Sequence, residues 1–120
     1  MTGAQILTES LKLLGYSENN GNAHLTQTVR NRALSILNLV YAELARTCEV
    51  KFTALTSLSD DVNLPGRALN EIMPCGVAMY IANAEGDSSA QAFWGAEYNA
   101  KRTTLSKITQ YKDTLPKVWG

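Results

Sequence analysis

Histidine, cysteine, proline and net charge are all scarce here: 120 residues hold one histidine, two cysteines and three prolines, and eleven basic residues balance eleven acidic ones. The single histidine, His24, lies in a polar stretch with no nucleophile motif beside it and no carboxylate to orient it, which is no basis for acid–base catalysis. Cys48 and Cys75 are too few for a disulfide framework and lack the paired spacing of a zinc site. They read as reduced thiols of a protein made in cytoplasm. Asp60-Asp61 lacks the alternating oxygen ligands and closing glutamate of a calcium loop, so its expected role is to form a turn ahead of Pro65. No glycine-rich phosphate loop or dinucleotide fingerprint is present. No apolar run approaches the ~20 residues of a bilayer span, and the N-terminus lacks the basic-then-apolar pattern of a signal peptide. The expectation is a protein that is not an enzyme, with no metal, no cofactor and no membrane segment.

What is present is a globular composition, 45% hydrophobic and 18% charged, at a length that suits one domain with one core. The charge balance hides an asymmetry. Residues 101–120 carry Lys101, Arg102, Lys107, Lys112 and Lys117 against Asp113 alone, so the first hundred residues are acidic. A mildly acidic body with a basic end suits an end that docks on an acidic surface; the plainer alternative is a solvated, frayed terminus.

Helical spacing dominates. Ala4, Ile6, Leu7, Leu11 and Leu14 mark a first helix, capped by Thr2 and ended by Gly15, and residues 16–24 read as a loop. The second helix spans 27–47, with Val29, Ala33, Ile36, Leu37, Val40 and Leu44 on one face and Leu34, Tyr41 and Ala45 widening it, a stripe broad enough for two neighbours. Leu39 falls on the opposite side, among Arg32, Ser35, Glu43 and Arg46, as a candidate subunit contact. Residues 48–64 lose the period, and Val50, Phe52, Ala54 and Thr56 alternate in an imperfect strand-like pattern. An extended arm or a short hairpin is expected there. The arm would reach a neighbouring subunit through Val50, Phe52 and Leu55; the alternative is a hairpin folded back on its own domain.

Pro65 opens a third helix that Gly86 ends, apolar nearly all round from Cys75 to Ala84 and therefore central. Pro74 predicts a kink near 69–73, and Gly76 the close approach of another backbone or a local break. Asp87 caps a fourth helix with Ala90, Phe93, Trp94, Tyr98, Leu105 and Ile108 on one face and a surface Glu97–Lys101 pair. Beyond 107 the pattern weakens. The expected fold is all-α: a four-helix bundle-like domain over 1–107, an extended loop between helices 2 and 3, and an extended C-terminal tail over 108–120. Tyr111, Leu115, Val118 and Trp119 in that tail cannot make a core alone, which with Lys112 and Lys117 marks them as candidate docking residues.

The run RALSILNLVYAELA (32–45), the approach LTSLSDDVNLP (55–65), CGVAMYIANAEGD (75–87) and FWGAEYNAKR (93–102) resemble, in this order and spacing, the head–tail connector (adaptor) proteins of tailed phages. The resemblance covers 4–105 and implies a structural role in the virion neck, between capsid and tail. Such adaptors form a ring, usually of twelve subunits, beneath the portal protein. They extend the DNA channel and dock the tail or a stopper protein. The resemblance also implies that the C-terminal segment, with Tyr111, Lys112, Leu115, Lys117, Val118 and Trp119, reaches onto the portal. A near-neutral chain suits a conduit through which DNA passes without being held. Two other functions stay open: a small helical phage or prophage protein that binds or packages DNA, and a cytoplasmic assembly chaperone.

Overall fold

The computed structural model describes the backbone of residues 1–15 and 27–119 and the side-chain surroundings of 1–15 and 29–105. The whole of the loop expected over 16–24, His24 included, lies outside the described residues. Among the described residues four α-helices follow one another: α1 (Gly3–Leu13), α2 (Gln27–Cys48), α3 (Met73–Ala84) and α4 (Ser88–Trp119), with a π-helical turn, Ala68–Ile72, leading into α3. Among the described residues there is no strand, only an isolated bridge between Thr2 and Asp61. The fold is all-α, and the strand-like pattern over 48–64 yields an irregular connection.

Local chemistry accounts for the helix ends. Thr2 and Gln5 make a reciprocal capping box at the start of α1, which ends at Leu13 with Gly15 in the left-handed conformation. At the end of α3, Gly86 has φ 77°, its N–H donates to the Asn83 carbonyl and the Asp87 N–H donates to that of Ala82. That six-to-one closure needs the left-handed residue glycine supplies. Asp87 then caps α4 through its Oδ1, which accepts from the Ala90 N–H at 3.1 Å.

The disturbance expected ahead of Pro74 is the π turn. Proline has no N–H, and its ring would press on the carbonyl four residues back, Asn70. The turn widens, so that the Met73 N–H reaches the Ala68 carbonyl. α3 is the central element: Met73, Pro74, Cys75, Gly76, Val77, Ala78, Ile81 and Ala82 are all buried. It packs against α1, α2 and α4. The α2 stripe is buried as its spacing requires, from Val29 and Ala33 through Leu37 and Val40 to Leu44 and Ala45.

Two expectations need correction. The C-terminal segment is not extended: α4 continues as one 32-residue helix to Trp119. The reason is legible in retrospect, because Ile108, Tyr111, Leu115, Val118 and Trp119 recur at steps of three, four, three and one. Nor is the face of α4 that carries Phe93, Trp94 and Tyr98 buried throughout. Trp94 is half-buried and Tyr98 buried, but Phe93 is 57% exposed, its ring edge-on to Trp94.

Candidate interaction surfaces

The connection from α2 to α3 starts with a strained residue. Glu49 has φ 59°, its N–H donates to the Arg46 carbonyl, and the Val50 N–H donates to that of Ala45. Glutamate thus occupies the left-handed cap position that glycine usually takes. From there Lys51, Phe52, Thr53 and Ala54 run exposed, and the Phe52 ring stands edge-on to Tyr41 at 4.9 Å.

At Leu55 the chain turns inward. Asn38 on α2 grips it at both backbone groups: the amide nitrogen donates to the Leu55 carbonyl (3.0 Å), and Oδ1 accepts from the Leu55 N–H (2.7 Å). Asp60 then closes the turn, its Oδ2 accepting from the Thr56 N–H, the Thr56 hydroxyl and the Ser57 N–H. These donors hold its carboxyl below the ordinary carboxylate range. The carbonyls of Leu58 and Asp60 accept from the Ala4 and Gly3 N–H groups, and the Val62 N–H donates to the Met1 carbonyl. So this segment caps the first turn of α1, whose N–H groups would otherwise lack partners. Tyr41 completes the anchoring, its hydroxyl accepting from the Asn63 N–H at 3.3 Å.

A second polar cluster ties three helices together. Glu43 on α2 accepts from the Tyr98 hydroxyl of α4 at 2.8 Å and from the Tyr80 hydroxyl of α3 at 3.3 Å. The Arg102 guanidinium lies 5.1 Å from the Tyr98 ring centre. Burial, reinforced by the Glu43 carboxylate, pushes both tyrosines up from the ordinary phenol value. Gly76 makes room for the Tyr98 ring: a Cβ there would sit 2.8 Å from its Cε1. The close approach at Gly76 is therefore to a side chain and not, as expected, to another backbone, and Glu43 is a hub between helices where the sequence pattern had placed it on a solvated face.

A cleft of about 380 Å³ opens between α1, the π turn with the start of α3, and α4, lined by Glu9, Leu13, Asn70, Glu71, Pro74, Cys75, Trp94 and Lys101. The Lys101 ammonium donates to the Glu71 carbonyl (3.4 Å) and to the Cys75 thiol (3.8 Å), not to Glu97. Burial pushes the thiols of Cys75 and Cys48 up, so both stay protonated near neutrality and neither is an activated nucleophile. Both cysteines are free, and among the described residues no group of three His, Cys, Asp or Glu side chains is placed to hold a metal.

Of the residues singled out as subunit contacts, Leu39 is 45% and Phe52 38% exposed, and Val50 is half-buried. Leu55 is different: at 4% exposure it belongs to its own subunit's core and is unavailable to a neighbour. The side chains of Tyr111, Lys112, Leu115, Lys117, Val118 and Trp119 lie outside the described residues, and their backbone belongs to α4. Sequence reasoning passed over Asn38 and Glu43. The only available signal was a polar residue bordering a broad apolar stripe. Among the described residues no helix is long and apolar enough to cross a membrane. Comparisons of this chain with family models, with curated proteins and with solved structures find no match.

Proposed function

We propose that this chain is a non-enzymatic assembly protein, a head–tail connector subunit of a tailed phage, made in the host cytoplasm and built into the virion neck. In this role it forms a homo-oligomeric ring, twelve-fold as in the proteins it resembles, beneath the portal protein. The ring lengthens the DNA channel and offers the tail or a stopper protein a docking surface. The observation that carries the reading is the order of the resembling segments. A long helix, a connection ending in Leu-Pro, a buried helix closing on Gly-Asp and an aromatic-bearing helix follow one another along 32–102.

Two structural features are consistent with it. α4 runs on to Trp119, carrying Tyr111, Lys112, Leu115, Lys117, Val118 and Trp119 as a basic amphipathic segment suited to the portal. Four of the body's cations are engaged locally: Lys12 with Glu9, Arg67 with Glu71, Arg102 over Tyr98, and Lys101 on the Glu71 carbonyl. That arrangement suits DNA passing without sequence-specific binding better than it suits a DNA-binding or packaging protein, which needs several cations converging on phosphate.

The test is assembly. Purified chain mixed with portal should give rings on portal particles by negative-stain microscopy, and truncation after Gln110 should leave the helical signal of the body intact while abolishing incorporation into portal-containing heads. Normal incorporation of the truncated chain removes the docking role of the C-terminal segment. Salt-dependent retardation of duplex DNA without ring formation favours the DNA-binding alternative. Absence from mature particles favours a chaperone.

A further inference from the structure

We propose that, in the protein without its portal, the cleft between α1, the π turn and α4 receives the C-terminal helical segment of a second copy of this chain, with Trp119 as the side chain that fills it. Leu13, 37% exposed, and the half-buried Trp94 present apolar surface to the cleft, with Pro74 and Cys75 beside them. Its volume, about 380 Å³, lies at the small end of the range for ligand pockets and suits one large aromatic anchor. Glu9 and Glu71 put carboxylates on its lining with side chains 50% and 61% exposed. Their partners, Lys12 and Arg67, make exposed pairs that compete weakly with an incoming cation. Lys101, the cation within the cleft, is held by the Glu71 carbonyl and the Cys75 thiol.

The complementary segment is the end of α4. Its apolar positions 108, 111, 115, 118 and 119 share one side of the helix, with Lys107 and Lys112 on either edge of that stripe. The first hundred residues are acidic and the last twenty basic, so cleft and segment attract.

The contact must be between copies. Trp94, on the cleft wall, and Trp119 belong to the same unbroken helix, Ser88–Trp119. At 1.5 Å per residue they are about 37 Å apart, and Trp119 cannot turn back into its own cleft. A segment of one copy seated in the cleft of the next is a heterologous contact, which propagates into a ring or a filament and does not stop at a dimer. Here the inference rests on the connector reading only for the ring's role. One anchor and a short helix bury less than a standard interface, so the contact is weak and a portal can displace it.

Sedimentation velocity on the full chain tests it. Association should rise with protein concentration and weaken with added salt, and Trp119→Ala should weaken it at least about tenfold. The decisive arm mixes two variants. Trp119→Ala retains the cleft without the anchor, and Leu13→Asp retains the anchor but puts a charge in the cleft at an exposed position. Each should stay monomeric alone, and the mixture should form a one-to-one heterodimer and nothing larger. A monomeric mixture, or wild-type association by Trp119→Ala, overturns the proposal. If the mixture pairs as expected but the chain never enters portal-containing heads, this contact stands and the connector reading falls. If incorporation is normal and the isolated chain never associates, the reverse holds.

Discussion

The connection between α2 and α3 is two kinds of chain joined at Leu55. Residues 55–64 have a partner at nearly every turn: Asn38 on Leu55, Asp60 across Thr56 and Ser57, Tyr41 on Asn63, and the first turn of α1 on the carbonyls of Leu58 and Asp60. Leu55, Val62 and Leu64 are buried within it. Residues 51–54 lie exposed, touching the body through the edge of Phe52 on Tyr41. Apolar residues occur in both halves, Phe52 and Ala54 in the first and Leu55, Leu58, Val62 and Leu64 in the second, so composition alone does not separate them. What separates them is whether another element supplies polar partners for the backbone. The second half is an internal strut, and the first stays on the surface.

The largest blow to that comparison is Leu55→Ala. Truncating a side chain 4% exposed should cost about 2–5 kcal/mol, the range for large-to-small core changes, with denaturant unfolding as the measure. Ile81→Ala in α3, fully buried, sets the scale. A loss at Leu55 below about 1 kcal/mol would mean that the strut is not part of the core. Asn38→Ala should follow at about 1–3 kcal/mol, because it leaves both backbone groups of Leu55 without their partner. Hydrogen exchange should then rise across 55–62 and at the N–H groups of Gly3 and Ala4, which the strut caps.

The helices and most of their ends were legible in the sequence because they depend on local spacing and capping: the α2 stripe, Thr2, Gly86 and Asp87 all act within a turn or two of themselves. The strut was not, since its stability comes from partners far along the chain, Asn38 on Leu55 and Tyr41 on Asn63. Glu43 was missed for the same reason; its two tyrosines are 37 and 55 residues away. The helical end of α4 was misjudged differently. Its spacing is there to read, but the stripe beyond 107 is thin, which is why an extended tail is the expectation there. Of the candidate contact residues, Leu39 and Phe52 keep exposed surface, and Leu55 does not.

Acid should act on the strut through Asp60. Its carboxyl titrates below its unfolded value, so its contribution is present above the ordinary carboxylate pKa, about 3.9, and is lost as the pH falls through the folded value. Asp60→Asn should flatten the acid limb of the stability curve and leave the neutral-to-alkaline limb as it was. The alkaline limb belongs to the tyrosines. Tyr80 and Tyr98 are held protonated in the folded state, so stability should decline as the pH rises through the unfolded phenol value near ~10, and Tyr98→Phe should reduce that decline.

The smallest expected effect lies at the boundary where the exposed half begins, and it has the opposite sign. Glu49 holds φ 59°, where a Cβ crowds the following carbonyl at a cost of about 1–2 kcal/mol. Glycine removes that crowding but adds freedom to the unfolded chain. Glu49→Gly should therefore stabilise the fold by no more than about 1 kcal/mol, seen as a shift of the denaturation midpoint at unchanged slope. The backbone bonds that close α2, Glu49 to Arg46 and Val50 to Ala45, do not involve the glutamate side chain and should persist. If residues 51–54 serve a neighbouring subunit, the direction in which the chain leaves α2 matters more than the strain at its exit. Glu49→Gly should then raise stability while slowing ring assembly on portal, because it frees the segment to leave at other angles. Faster or unchanged assembly would assign the strain at Glu49 to helix termination alone and leave the exposed half without a role set by its orientation.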